Sequence, residues 1–348
     1  MKILTFSRWL KILLFLFSVW VVSLLVCLLQ GTEDISMGQV LDMIKNRWTL
    51  QGGVKLSEVK EVILFQVRLP RLLLAAMVGG TLATVGVVLQ ALLRNPLADP
   101  FVIGISSGTA LGAVISLLMG FQITLLGFAA TPLFGFLGGL ITLLFLYRLA
   151  QIHGKILVHT LLLAGVILNA MFSAVIMFIT YMVDSTKVFG IVYWLMGNIG
   201  SVEGKTLGVL AVYITVGMAI LLSLAKGLNL LTLGEEGASG LGLRVEQTKK
   251  KAFLGTALLT GAVVSVSGLI SFVGIMIPHV LRILIGPDHR LLLPASFLGG
   301  GIFLMLADTL GRVLIAPTEI PVGIITALCG GPFFLFLLRR SRMRFFNP

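Results

Sequence analysis

The sequence predicts an all-α protein that threads a lipid bilayer about ten times. Three observations carry this expectation. Of 348 residues, 57% are hydrophobic and only 11% charged, with a mean hydropathy of +1.07; so few charges cannot cover a water-soluble globule of this length. The apolar residues are gathered into runs, and a span needs roughly 20 of them to cross a hydrocarbon core of about 30 Å. The basic residues, finally, collect on alternate connections between those runs.

Taken in order, Ile12–Thr32 is the first span, too long and too poor in small residues at its end to read as a cleaved leader. Leu72–Leu93 is the second. Phe101–Tyr147 is long enough for two, with a break at Gly120-Phe121-Gln122. Ile156–Val183 and Thr206–Ala225 follow, separated by a short amphipathic piece at Val188–Gly200. Ala252–Leu281 continues past Arg282 to Gly286 and divides near Gly268–Ser271. Leu291–Ala307 and Ile320–Leu338 complete the ten. Between the second and third spans the chain passes Arg94-Asn95-Pro96-Leu97-Ala98-Asp99-Pro100, a polar elbow stiffened by two prolines.

With the N-terminus (Lys2, Arg8, Lys11) on the cytoplasmic side, seventeen of the 26 Lys and Arg side chains fall inside, with five of the 14 acids. The entire formal charge of +12 then lies on one face, as the positive-inside rule requires. Both termini are expected to be cytoplasmic. Topology therefore accounts for the basic composition, and no nucleic-acid partner is implied.

Against itself at an offset of 182, the chain pairs Gly79 with Gly261, Gly86 with Gly268, Pro96 with Pro278 and Gly104 with Gly286. Paired segments that start five spans apart cross in opposite senses. The single transmembrane domain, 1–348, thus divides into inverted halves, 1–183 and 184–348. Gly135 and Gly139 have the spacing of a close helix contact.

Little suggests covalent chemistry. Cys27 and Cys329 lie in the terminal spans without metal-ligand spacing and read as small core residues. His279 and His289 are ten residues apart and no third ligand, Asp288 included, stands at motif spacing, so neither a metal nor a cofactor is expected. Pro278 is expected to break its helix, with Arg282 satisfying the carbonyls so freed and Asp288 pairing with Arg290. The longest inside loop, 226–251, reads as two short helices or turns, Leu230–Gly234 and Ala238–Leu243, separated by Glu235-Glu236.

Several motifs in order match one family. They are Arg68-Leu69-Pro70-Arg71, the run Gly80 through Gln90, Asn95-Pro96-Leu97-Ala98 and Gly104-Ile105-Ser106-Ser107-Gly108. Leu161 to Val166 and Trp194-Leu195-Met196-Gly197 follow, then Phe272-Val273-Gly274, Pro278-His279-Val280-Leu281-Arg282 and Asp288-His289-Arg290. Ala307-Asp308, Glu319 to Gly323 and Gly331-Pro332-Phe333-Phe334 end the series. Over nearly its whole length the chain resembles FecCD-type permease subunits of ABC importers for iron chelates, haem and cobalamin.

The resemblance implies a type II importer fold, a homodimer, two cytoplasmic ATP-binding subunits and an extracytoplasmic substrate-binding protein at an inner membrane. It implies docking of that binding protein by Arg68, Arg71 and Arg312, and reception of the ATPase stroke by Leu233, Gly234, Ala238, Leu241 and Gly242. It places Val158, His159 and Thr160 at the gate of a pathway lined by the fifth span; His159 departs from the small hydroxyl residues usual there. Asn95, Pro96, Pro278 and Arg282 form the elbows. No G-x-x-x-x-G-K-[ST] phosphate loop occurs in the chain, so this subunit is not expected to be an enzyme. The alternative is an ion-coupled secondary transporter, which would place ionisable groups in mid-span.

Overall fold

The computed structural model describes residues 5–31, 33, 35–40, 58–101, 103–121, 124–125, 128–152 and 154–346. Lys2, Thr32 and Gln122, named above, lie outside the described residues. The first span is α1, Phe6–Leu29, opened by Thr5, whose hydroxyl accepts the Arg8 N–H. A short α2, Glu58–Val62, passes through a π-helical turn, Ile63–Arg68, into α3, Leu69–Leu92. The wide turn follows from Pro70, which has no N–H to give; Leu69 bonds back to Leu64 instead. The elbow leads to α4, Ile105–Met119, then α5, Ala130–Ala150, and α6, Val158–Met182. Two-residue antiparallel pairs bracket α5: β1 (Thr124–Leu125) with β2 (Phe128–Ala129), and β3 (Gln151–Ile152) with β4 (Lys155–Ile156).

A short α7, Ser185–Leu195, follows where the amphipathic piece was expected, and then α8, Gly204–Ser223. Two small helices follow, α9 (Ala225–Leu231) and α10 (Glu235–Gly240). The chain then forms α11, Val245–Ser267; α12, Val273–Ile285; α13, His289–Val313; and α14, Val322–Phe346. Six helices are long and apolar enough to span a membrane by themselves, and α4, α12 and Val322–Leu337 of α14 are shorter apolar helices. With α11, which opens on Lys249-Lys250-Lys251, they make ten among the described residues.

α3 is the centre of the bundle: 89% of its apolar window is buried, against 17% for α1 and α6. It packs on α11, α12 and α13, and small residues let backbones touch. A methyl group on Gly86 would overlap the Gly274 carbonyl of α12, and one on Gly79 the Gly300 carbonyl of α13. Gly135 and Gly139 do mark a contact, meeting Thr109 of α4 and Ser265 and Gly261 of α11.

The halves are inverted. Near the start of α3, Arg71 pairs with Asp308 late in α13 and with Glu319 just before α14. Past the end of α3, the Arg94 guanidinium lies beside Gly234, and Lys249 at the start of α11 pairs with Glu235. α3 thus runs from the Arg71 end to the Arg94 end, and its counterpart α11 runs back. α4 leaves the Arg94 end, whereas α12 arrives there, with Arg282 bonded to Gln90.

The offset of 182 does not, however, carry the prolines into equivalent places. Pro96 sits in the elbow after α3, while Pro278 lies inside α12. The break between α11 and α12 falls instead at Gly268–Phe272, where Phe272 takes a left-handed conformation (φ 69°). Nor are both cysteines core residues: Cys27 is buried and Cys329 exposed.

Candidate coupling and docking surfaces

At the Arg94 end the elbow is held by its own side chains. Asn95 Oδ1 accepts the Leu97 N–H at 2.9 Å, and Asp99 Oδ1 accepts the Phe101 N–H at 2.8 Å. Each short side chain thereby adds to the backbone, where the Ala98 N–H also closes on the Asn95 carbonyl at 3.1 Å. Asn95 and Pro96 are exposed and Asp99 is buried. Burial pushes the Asp99 carboxyl up to about 6, in spite of the Phe101 N–H.

Pro278 does not break α12. The helix continues from Val273 to Ile285, and the missing N–H leaves the Gly274 carbonyl without its i+4 partner. Gln90 supplies one: its Nε2 donates to Gly274 O at 3.2 Å, and its Oε1 accepts from Arg282 Nη2 at 2.6 Å. Arg282 therefore reaches the freed carbonyl only through Gln90. The sequence reading missed this role. A lone amide in the apolar run of α3 was the available signal, since a polar group buried in a membrane helix needs a partner.

The expected pair of short helices exists, but Glu235 and Glu236 open the second helix and do not separate the two. Acids suit the positive end of a helix, and Gly234 before them takes φ 101°, which only glycine adopts without strain. Leu233 and Leu241 are exposed at 66% and 62%. They form two apolar points on an otherwise polar surface. Ala238 is fully buried and faces inward, whereas Gly242 (φ 83°) has open space around it.

Side chains fasten these helices to the spans. Asn229 of α9 donates to Asp288 Oδ1 at 2.9 Å, and its Oδ1 accepts the His289 N–H at 2.9 Å. Asp288 also pairs with Arg290, as expected, and hydrogen bonds from Arg290, with Asn229 adding to them, hold its carboxyl down to about 2. With Arg94, Asn95, Pro96, Gln90 and Arg282, the residues Asn229, Asp288 and His289 line a cleft of about 510 Å³. His279 packs instead against Phe333 of α14. The two histidines serve separate places.

This constellation of spans, elbow and paired short helices falls within one family model. The model of the FecCD transport family matches residues 19–340. The chain belongs to the FecCD transport family.

Among curated relatives, the hemin transport system permease protein HmuU of Yersinia pestis is 43% identical over 282 residues, covering 80% of this chain and 84% of its own. The cobalamin import system permease protein BtuC of Halobacterium salinarum is 42% identical over 295 residues, covering 85% and 78%. A solved structure of a proposed metal-chelate type ABC transporter in an inward-facing conformation superposes with a TM-score of 0.82 at 34% identity, covering 95% of this chain and 99% of that one. The chain is thus an ABC importer permease, a multi-pass transport subunit of the FecCD type.

On this FecCD chain the arginines expected at a docking surface are not free cations. Arg68 is 4% exposed and donates to the carbonyls of Leu28, Leu29 and Glu33, at 3.1, 3.5 and 2.6 Å. It caps the C-terminal end of α1, where carbonyls lack helical partners. Arg71 is bidentate to Asp308 (Nε to Oδ2 3.1 Å, Nη2 to Oδ1 3.0 Å) and reaches Glu319 Oε2 at 2.8 Å. Arg312 Nε lies 3.2 Å from Asp308 Oδ2, and its Nη2 donates to Thr309. Two arginines and two carboxylates cancel. Only Glu319, with a side chain 43% exposed, opens that cluster to solvent.

Val158, His159 and Thr160, expected at a gate, stand at the start of α6, directly after the β3–β4 turn. Val158 and Thr160 are half-buried and His159 is exposed. Further along α6, Leu163, Met171, Met177, Phe178 and Tyr181 are exposed at 56–84%. Leu328, Leu335 and Phe336 of α14 are also uncovered.

Proposed function

We propose that this permease carries a large metal chelate inward across the inner membrane, a ferric siderophore first, a corrinoid or haem next. It works as a homodimer with two cytoplasmic ATP-binding subunits and an extracytoplasmic binding protein. Both termini are cytoplasmic, which puts the Arg94 end inside. The observation that carries this reading is the pair α9–α10, which offers Leu233 and Leu241 to a partner from a platform fastened to the spans. Gly234, Ala238 and Gly242 shape that platform, Ala238 from within. The elbow at Asn95 and Pro96 and the bridge from Pro278 and Arg282 to Gln90 let the stroke reach the spans.

The uncovered faces of α6 and α14 meet the second copy and line the pathway, with Val158, His159 and Thr160 at its inner mouth. At the outer end the binding protein seats over the Arg71 cluster, where an acidic group of its own competes with Glu319 for Arg71; Arg312 and Arg68 support that surface from behind. The buried carboxylate at the outer end, Asp308, is already neutralised by two arginines, which leaves it unsuited to ion coupling. Proteoliposomes holding the permease, its ATPase and its binding protein test the reading. ATP-dependent, vanadate-sensitive uptake of a ferric siderophore is expected, with haemin and cobalamin as parallel cargoes. Uptake driven by a proton or sodium gradient without ATP overturns it.

A further inference from the structure

A lysine buried at the Arg94 end joins the second coupling helix to the lead-in of α6. The Lys249 side chain is 4% exposed. Its Nζ donates to Glu235 at 3.1 Å, on the first turn of α10, and to Glu246 Oε1 at 2.8 Å, on the first turn of its own helix α11. The other oxygen of Glu246, Oε2, accepts the backbone N–H of Ile156 at 2.9 Å. Ile156 is the last residue of β4, two residues before α6 begins at Val158. One charge-assisted chain thus runs from α10 through Lys249 and Glu246 to the N-terminal end of α6.

Two physical points single out this chain. An ammonium so enclosed holds its position only while its acids stay in reach, because leaving a buried charge unpaired is far costlier than breaking an exposed pair. Both acids, by contrast, are partly exposed, Glu235 at 42% and Glu246 at 33%, so they can shift with their helices without losing solvation. Lys249 and Glu246, both in the first turns of α11, move as one, whereas Glu235 moves with α10. The Ile156 N–H is gripped by a carboxylate, a stronger bond than a neutral acceptor gives. Movement of α10 that carries Glu235 must either drag Lys249 and Glu246 or break the set.

We propose that Lys249 is a positioning residue that passes displacement of α10, by way of Glu246 and Ile156, to the gate end of α6. This rests on the ATP-driven reading above and adds the route by which the stroke reaches the pathway.

The test uses the assembled importer, with Cys27→Ala and Cys329→Ser as background. A single nitroxide is placed at Ser239, exposed on α10, to report the coupling helices, or at Leu163, exposed 64% on α6, to report the gate span. Spectra are recorded with and without trapping by ATP and vanadate. In the parent protein both labels are expected to change mobility on trapping. In Lys249→Met the Ser239 response persists, while the Leu163 response falls at least fivefold. Lys249→Arg restores more than half of it, and Glu246→Gln, which keeps an acceptor for Ile156 but no charge, lies between. Melting temperature and ATPase association, followed in parallel, stay near the parent's, which separates transmission from simple misfolding. A Leu163 response undiminished in Lys249→Met overturns the proposal. So does a parent protein in which Ser239 responds and Leu163 does not; silence at both labels overturns the ATP-driven reading itself, and the relay with it.

Discussion

Replacing Gln90 by leucine is expected to destabilise the permease in a way that depends on a residue far along the chain. Gln90 makes two bonds, one to the Gly274 carbonyl bared by Pro278 and one to the Arg282 guanidinium. A bond to a charged group contributes about 1.5–3 kcal/mol and a neutral one about 1 kcal/mol, less where the membrane-embedded reference state finds other partners. Gln90→Leu should therefore cost about 2–4 kcal/mol. In a Pro278→Ala background, the new alanine supplies its own N–H to Gly274, so the neutral part of that loss disappears. The double-mutant cycle should then show a coupling of about 1 kcal/mol. Reversible unfolding in mixed micelles, titrated with dodecyl sulfate and followed by tryptophan fluorescence, measures it. Strict additivity of the two substitutions would refute the bridge. Gln90→Glu serves as a check, since it keeps the acceptor for Arg282 and loses only the donor.

Three further outcomes follow from the same geometry. Asp308→Asn leaves Arg71 and Arg312 without their shared counter-ion and should cost about 3–5 kcal/mol, read as loss of folded protein in the same titration. Asp99, raised to about 6 by burial, binds its proton more tightly folded than unfolded; stability should therefore fall as pH rises from about 4 to 6, by on the order of 3 kcal/mol at most. Asp99→Asn should abolish that slope, whereas Asp288, held down to about 2, acts in the opposite sense, with stability lost only as pH falls below the ordinary carboxylate range toward 2. Finally, Gly86→Ala collides with the Gly274 backbone and should abolish folding, while Gly208→Ala, where the added methyl meets nothing, should stabilise α8 by roughly 0.5–1 kcal/mol; thermal melts in detergent compare the two.

What could be read in the chain follows from where physics acts locally. Hydropathy alone places nearly every span, because each helix must satisfy its own backbone in lipid. The divisions at Gly120 and near Gly268, the short α7 and the presence of two short helices within 226–251, though not their boundary, were visible as breaks in that pattern. The family was legible too, since its motifs keep their order along the sequence. Sites resisted the same reading because a residue's role depends on its neighbours. Arg68, Arg71 and Arg312 look like surface cations until the backbone carbonyls of Leu28, Leu29 and Glu33 surround the first and the carboxylates of Asp308 and Glu319 are brought beside the others. Pro278 looks like a helix breaker until Gln90, nearly two hundred positions earlier, covers the carbonyl it bares.

Ala238 and Gly242 make the same point on a small scale: both are small residues in one loop, yet one is sealed inside and the other stands in open space. By itself, the sequence determined that this is a bundle of membrane helices in two inverted sets, for the bilayer imposes that periodicity residue by residue. The tertiary structure decided which polar groups are spent on one another and which are left for partners. Charge and hydrogen-bond satisfaction are properties of three-dimensional neighbourhoods, and no local run of residues contains them.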